Sequence, residues 1–104
     1  MMTYCLEPED LTLFDAVEMW PVEEFYTFDA SGDPTYITAE IIEEDQIGAS
    51  PTSRYYWCVY LHYVDGGLCA VADFEHKPEA EAYADALETR LAETVGRIYP
   101  MRKT

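Results

Sequence analysis

The chain has 104 residues, of which 49% are hydrophobic, and a formal net charge of −15 at pH 7. A chain of this length and apolar content forms one domain with its own core, so residues 1–104 are predicted to fold as a single unit rather than to remain a disordered acidic tail. The acidity disfavours direct binding to nucleic acids and to anionic membranes, because their phosphates attract Lys and Arg.

The negative charge is concentrated in the first half of the chain. Residues 1–53 contain 13 acidic residues and no Lys or Arg, whereas residues 54–104 contain 8 acidic and 6 basic residues. A solvated surface usually intersperses both signs of charge. A stretch of one sign over half of the chain therefore predicts a protein partner with a basic surface.

The cysteines and the apolar runs indicate a cellular compartment. The three cysteines include no CxxC pair, and no segment has the basic start and apolar run of a signal peptide. No apolar run approaches the roughly 20 residues that span a bilayer. These features predict a cytoplasmic protein without a membrane role.

A short helix is predicted over residues 7–19. A proline and several acids stand near its start, and Leu13, Val17 and Trp20 recur at helical spacing. Pro21 should end this helix, because the residue before a proline avoids helical backbone angles. We expect the helix to lie at an edge of the sheet or on its second face.

Two strands and a loop are predicted next. Residues 22–28 and 35–42 are rich in aromatic and β-branched residues and flank a segment with dense turn chemistry over residues 29–34, which predicts a hairpin. Residues 43–53 are polar and contain both glycine and proline, so they predict a loop.

A second hairpin is predicted at the centre of the chain. Residues 55–64 and 67–75 flank Asp65-Gly66, a dipeptide typical of a two-residue hairpin turn. A three-residue loop would mix the apolar and polar faces, so the pattern disfavours it. With a two-residue turn, one face pairs Tyr63 with Leu68, Leu61 with Ala70, Val59 with Ala72 and Trp57 with Phe74, and the other pairs His62 with Cys69, Tyr60 with Val71, Cys58 with Asp73 and Tyr56 with Glu75.

A C-terminal helix is predicted over residues 78–95, with a proline in its first turn and Gly96 as its end. Together the elements predict an α+β fold, a four-stranded antiparallel meander with this helix packed on one face and the short N-terminal helix beside it. The apolar stripe that should face the sheet comprises Ala80, Tyr83, Ala84, Leu87, Leu91, Val95 and Ile98.

The central hairpin also contains residue types that carry chemistry. A His62–Cys69 pair suggests a nucleophilic dyad, and nearby Cys58 suggests a metal site. Cys58 and His62 would lie about 13 Å apart along a strand, too far to bind one ion. No nucleotide-binding, hydrolase or zinc-protease motif is present. The sequence therefore predicts a non-enzymatic protein without a catalytic residue, metal or cofactor.

Small size, extreme acidity and a β-hairpin followed by an acidic helix together resemble the small phage proteins that inhibit host defence nucleases, including anti-CRISPR and anti-restriction DNA mimics. The resemblance covers the whole chain as composition and element order. It implies a stoichiometric inhibitor that occupies the basic nucleic-acid path of a host effector. The partner-binding residues would be Glu40, Glu43, Glu44 and Asp45, with Glu81, Asp85 and Glu88 as the second choice.

Two other interpretations of the surface compete with mimicry. An excess of acids is also ordinary in proteins selected for solubility or for high salt. Tyr56 and Tyr60 fall on the hairpin face opposite its apolar face. Exposed aromatics of this kind would anchor a non-mimic interaction module, such as an antitoxin-like or accessory subunit, unless the N-terminal helix covers them.

Overall fold

The computed structural model describes residues 10–100 and the backbone of residues 102–103. Within this part of the chain, one α-helix packs on a sheet of four antiparallel strands, which confirms the predicted α+β class. The elements are β1 (Phe14–Phe28), β2 (Pro34–Ile41), β3 (Arg54–Tyr63), β4 (Leu68–Phe74), α1 (Lys77–Val95) and β5 (Arg102–Lys103), and 3-10 helices occupy Leu11–Leu13 and Glu44–Gln46.

Strand β1 organises the sheet, whose strand order is β2-β1-β3-β4. Residues 14–24 of β1 pair with β3, and residues 22–28 pair with β2. The two residues of β5 pair in parallel with β1 at Glu18 and Met19. In a simple meander β3 would lie beside β2, so the order differs from that expectation. One long strand thus holds both hairpins in a single sheet.

The prediction of an N-terminal helix that ends near Met19 is wrong for residues 10–19. The predicted start of that helix lies outside the described residues. A 3-10 helix occupies Leu11–Leu13, where the Asp10 carboxylate accepts a hydrogen bond from Thr12 N at 3.0 Å. The chain then enters β1 at Phe14. The physical reason is burial, because Val17 and Met19 both face the core as alternate residues of a strand.

Pro21 lies inside β1 and does not interrupt it. Its carbonyl oxygen accepts a hydrogen bond from Ile42 N at 3.0 Å, which places the Pro21 backbone groups on the β2 side of the strand. The missing N–H therefore removes no hydrogen bond to β3, where Pro21 pairs with Trp57. This placement explains why a residue that predicted a helix end is accepted within a strand.

The central hairpin is confirmed, but its register changes at a β-bulge. The predicted pairs Trp57–Phe74, Cys58–Asp73 and Val59–Ala72 are present. Closer to the turn, each β3 residue pairs with the β4 residue that precedes its predicted partner in the sequence. Val71 is the extra β4 residue that forms the bulge. The predicted pairs in that region are therefore wrong. The observed pairs there are Tyr60–Ala70, Leu61–Cys69 and His62–Leu68.

The turn of this hairpin is a three-residue loop, which the sequence pattern disfavoured. Tyr63 N donates to Gly67 O at 3.0 Å, and Gly66 N donates to Tyr63 O at 2.9 Å. Gly66 and Gly67 have φ angles of 99° and 91°, which other residues rarely adopt. The bulge at Val71 offsets the odd loop length, so the two faces of the hairpin remain distinct.

Helix α1 covers one face of the sheet, here called the helix face, and confirms the predicted helix. It begins one residue before the predicted start and ends at Val95. Of the predicted stripe, four residues are fully buried, and Tyr83, Val95 and Ile98 pack beside them. The buried core comprises Phe14, Val17, Met19, Trp57, Val59, Leu61, Val71, Ala72, Phe74, Ala80, Ala84, Leu87 and Leu91.

The outer ends of β1 and β2 extend beyond the rest of the sheet. Strand β3 begins at Arg54, which pairs with Glu24, so residues 25–38 form a two-stranded segment outside the four-stranded body, here called the arm. The fold is elongated as a result, with extents of 53 × 24 × 21 Å and a radius of gyration of 15.3 Å. A compact chain of this length would have a radius near 13 Å.

Replacing Gly96 with alanine should lower the free energy of unfolding by about 1 kcal/mol. Gly96 ends α1 with a φ of 81°, and its N–H donates to Ala92 O at 2.8 Å. A Cβ there would meet no atom within 4 Å, so the loss comes from backbone conformation and not from a clash. Urea unfolding would measure it.

The matched control is Glu93→Ala, an exposed position in the last turn of α1. It should change stability by no more than about 0.5 kcal/mol. Equal stability of wild type and Gly96→Ala would contradict the role given to Gly96.

Candidate interaction surfaces

The sheet face opposite α1, here called the open face, carries a second and smaller apolar cluster. Val22, Tyr56 and Cys58 are buried in it, and Tyr60 and Ala70 pack against them. The expectation that Tyr56 and Tyr60 lie opposite the helix-covered face is confirmed, but Tyr56 is only 4% exposed. No described helix covers this face, and β1 replaces the N-terminal helix that was expected there.

Large apolar side chains continue along the open face onto the arm. The pairs Tyr26–Ile37 and Val22–Ile41 place these residues on the same face, because they alternate along the two strands. Phe28 lies two residues after Tyr26, and their ring centroids are 6.4 Å apart. The exposed fractions are 56% for Tyr26, 59% for Phe28, 53% for Ile37, 45% for Ile41 and 37% for Leu68.

These side chains form an apolar strip about 40 Å long, from the level of Leu68 to Phe28. A strip of this extent is unusual for the surface of a monomer and is typical of an interaction site. The sequence does not predict this strip, because residues 14–19 fall within the expected N-terminal helix. The alternation of Val17, Glu18 and Met19 was the signal of a long strand.

A groove of about 660 Å³ interrupts the strip on the sheet body. Tyr56, Cys58 and Tyr60 from β3 line it, with Leu68 and Ala70 from β4 on one side. Residues 39–41 of β2 and Val22 of β1 line its other side. Burial raises the pKa of the Tyr60 phenol well above its usual range, so this hydroxyl stays protonated. The groove is therefore largely apolar, with the neutral Tyr60 hydroxyl on one wall and Glu40, an acid at the border with the helix side, on the other.

Asp73 is a buried carboxylate on the open face. It pairs with Cys58 across β3 and β4 and is 1% exposed. Neither carboxylate oxygen accepts a hydrogen bond of normal geometry among the described residues, and the Cys58 thiol is the neighbouring group that can donate to this carboxylate. Burial raises the pKa of Asp73 above its usual value, while the neighbouring Cys58 thiol and the Arg54 charge oppose that shift. An unpaired buried carboxylate is costly and usually has a functional explanation.

The exposed charges of the open face are nearly balanced. Arg54 Nη1 and Glu24 Oε1 form an ion pair at 3.2 Å, with side-chain exposures of 43% and 26%. The Arg54 guanidinium also lies 4.8 Å from the centroid of the Tyr56 ring. Glu18 is 6% exposed and accepts a hydrogen bond from Trp20 Nε1 at 2.8 Å.

The structure separates the two residues of the suspected His62–Cys69 dyad. Cys69 pairs with Leu61 and packs against the helix-face core, while His62 pairs with Leu68 on the other face. His62 Nδ1 instead lies 2.7 Å from Asp15 Oδ1, beside a cavity of about 280 Å³. Among the residues that the structure describes, no serine or cysteine lines that cavity.

The two predicted acidic clusters lie on the helix side of the molecule. Lys77 Nζ, at the start of α1, is 3.1 Å from both carboxylate oxygens of Glu44. The same ammonium lies 5.1 Å from the centroid of the Trp57 ring, which belongs to the helix-face core. This ion pair connects the second 3-10 helix to the first turn of α1. Local sequence patterns do not predict this contact, because Glu44 and Lys77 are 33 positions apart in the chain.

The acids of α1 continue from this contact along the helix. Glu81 is one turn after Lys77, and Asp85 and Glu88 follow at helical spacing. Glu40 joins the same side, since it pairs with Glu23, whose carboxylate accepts a hydrogen bond from Tyr55 Oη at 3.2 Å. We call this surface the acidic band; its residues are Glu40, Glu43, Glu44, Asp45, Glu81, Asp85 and Glu88.

Comparisons with protein-family models, curated protein sequences and solved structures found no significant match to this chain. No described helix is long and apolar enough to cross a membrane. In residues 10–100, no group of three or more His, Cys, Asp or Glu side chains is arranged to hold a metal ion.

Proposed function

We propose that the protein binds and inhibits a basic nucleic-acid-binding protein, with the acidic band occupying the site of nucleic-acid phosphates. The observation that carries this proposal is the contact between Glu44 and Lys77, which joins two separate acidic segments into one surface. The partner class follows from charge, because a chain of net charge −15 is attracted to a cationic groove.

The spacing of the helix acids supports mimicry. Glu81, Asp85 and Glu88 extend over about 10 Å of helix axis, with neighbouring charges roughly 4.5 to 6 Å apart along it. A single DNA strand carries one charge per about 3.4 Å. The α-helix also fixes these carboxylates in place, so a basic groove would meet them with little loss of backbone entropy.

Binding to such a partner should weaken at least tenfold between about 50 and 200 mM salt and should compete with duplex DNA. The full chain would be immobilised, exposed to lysate at low salt and eluted either with salt or with a duplex oligonucleotide. Each eluted protein would then be titrated against both the chain and the oligonucleotide. Salt-insensitive binding, or a partner that holds the chain and the duplex at once, would contradict mimicry.

The second candidate function is a non-mimic interaction module, such as an antitoxin-like or accessory subunit. The observation that favours it is the apolar strip on the open face, which includes Tyr26 and Phe28 on the arm. Partner binding through this face would tolerate salt, because apolar burial and not charge would supply its affinity. The salt titration therefore separates the two candidates.

A further inference from the structure

The open face has a protruding part and a recessed part that match each other. The arm presents Tyr26, Phe28 and Ile37 with about half of each side chain exposed. The groove on the sheet body, at the level of Cys58 and Tyr60, is wide enough at about 660 Å³ to receive such side chains. We propose that two copies of the chain associate through their open faces, with the arm of each copy in the groove of the other.

The spacing of the two parts fits a two-fold axis. Cys58 pairs with Trp20, which is six to eight residues before Tyr26 and Phe28 on β1, so arm and groove are about 20 to 26 Å apart. An antiparallel copy rotated about an axis midway between them, near Glu24, places each arm over the other groove. A two-fold interface requires this reciprocity of contacts.

The charges next to that axis are complementary to themselves. Glu24 and Arg54 pair at 3.2 Å within one copy. Two-fold rotation about a nearby axis brings each Arg54 towards the Glu24 of the other copy, and a guanidinium has five N–H donors with which to bridge both carboxylates. The acidic band lies on the helix side, so the two bands would point away from each other.

The available area also suits a dimer. Each of the five exposed apolar side chains of the strip presents roughly 100 Å², or about 500 Å² in total. The groove walls and the arm backbone add to this value. A standard protein interface buries about 800 Å² from each partner. The open face therefore approaches the area that a stable dimer needs.

The first test is the concentration dependence of mass, measured by sedimentation velocity on the full chain alone. Wild type should form a species of twice its 11.9 kDa mass. The variant Tyr26→Ser/Ile37→Ser should dimerise at least 30-fold more weakly, because both side chains leave the interface. Tyr36→Ser is the matched control, since Tyr36 is 62% exposed on the opposite face of the same arm, and it should dimerise as wild type does.

The second test places the ion pairs between copies. Glu24→Arg and Arg54→Glu should each weaken self-association, whereas a mixture of the two variants should form a heterodimer with wild-type affinity. Added salt should change dimerisation little, because it screens both the ion pairs at the axis and the repulsion between two chains of net charge −15, whereas the proposed binding of a basic partner should weaken steeply. Because no partner is present, failure here is distinct from failure of the proposed function.

Two results would overturn the proposal. A protein concentration of about 200 μM is far above the Kd of a standard interface. If the wild-type chain is still monomeric at that concentration, it does not form the proposed dimer. Equal loss of dimer in Tyr36→Ser and in Tyr26→Ser/Ile37→Ser would place the interface elsewhere. A mixture of Glu24→Arg and Arg54→Glu that stays monomeric would lead to the same conclusion. Circular dichroism of each variant would confirm that it is folded.

Discussion

Replacing Asp45 and Asp85 together with lysine should weaken binding to the basic partner by at least about 30-fold. Each reversal removes one attraction and adds one repulsion, and about 1 kcal/mol for each position gives this factor. Both side chains are exposed, and they belong to the two segments of the acidic band. The contact between Glu44 and Lys77 is left intact, so the surface keeps its shape. Isothermal titration at constant salt would measure the loss.

The matched control is Asp33→Lys/Asp65→Lys, which changes the net charge by the same amount. Both residues are exposed in turns outside the acidic band. If the band binds the partner, this control should lose no more than a few-fold, through long-range attraction alone. Equal losses in both variants would mean that only the net charge matters, and mimicry by a defined surface would then be wrong.

The central hairpin shows how far sequence patterns reach. Residues 55–64 and 68–74 are rich in aromatic and β-branched residues on either side of Asp65-Gly66, so both strands, and the two faces of β3, follow from the sequence and the period of a strand. The position of the bulge does not follow from the sequence pattern. The bulge at Val71 exchanges the faces of residues 68–71 relative to a two-residue turn: Cys69 and Val71 pack on the helix face, and Leu68 and Ala70 lie on the open face. The choice between the two turns depends on packing across the sheet.

Strand β1 shows where local signals mislead. Pro21 and the acids before it are typical of a helix boundary, and Leu13 and Val17 fall at helical spacing. Those signals are local, whereas the stability of β1 comes from pairing with β3, whose residues lie 30 (Glu24–Arg54) to 49 (Phe14–Tyr63) positions later in the chain. Tertiary pairing therefore overrides local preference, as it commonly does for strands.

The candidate surfaces were predictable to different degrees. The acids of residues 40–45 and of α1 can be identified from charge alone, but the contact of Glu44 with Lys77 requires the fold. The apolar strip could not be assigned without β1, since its exposed members are recognised only when residues 25–38 extend beyond β3. The two surfaces occupy opposite sides of the sheet, so one chain can offer a basic partner its acidic band while a second copy covers the open face.

Replacing Asp73 with asparagine should raise the free energy of unfolding at pH 7 by about 1 to 3 kcal/mol. Asp73 is 1% exposed, and neither of its oxygens accepts a hydrogen bond of normal geometry in the described part of the chain. Asparagine keeps the shape but removes the charge, and a neutral buried amide costs less than an ionised carboxylate. A gain of this size raises Tm by about 4 to 8 °C for each kcal/mol.

The gain from this substitution should depend on pH in a direction set by the raised pKa of Asp73. The folded chain holds the Asp73 proton more tightly than the unfolded chain, whose pKa is near the ordinary 3.8. Below that value both states are protonated and the wild type has no penalty; as pH rises above it, only the unfolded state ionises readily, and wild-type stability falls. The difference between Asp73→Asn and wild type should therefore widen from about pH 4 to pH 7.

Chemical unfolding at one fixed protein concentration, repeated at several pH values, would measure this difference while holding any self-association constant. Glu75→Gln is the matched control, because Glu75 is exposed two residues further along the chain, and its effect should stay within about 0.5 kcal/mol at every pH. A gap that is the same at acid and neutral pH would show that Asp73 is not an unpaired buried charge. If Asp73→Asn is more stable than wild type but loses self-association, the Asp73 carboxylate contributes to the proposed interface on the open face and lowers stability in exchange for that function.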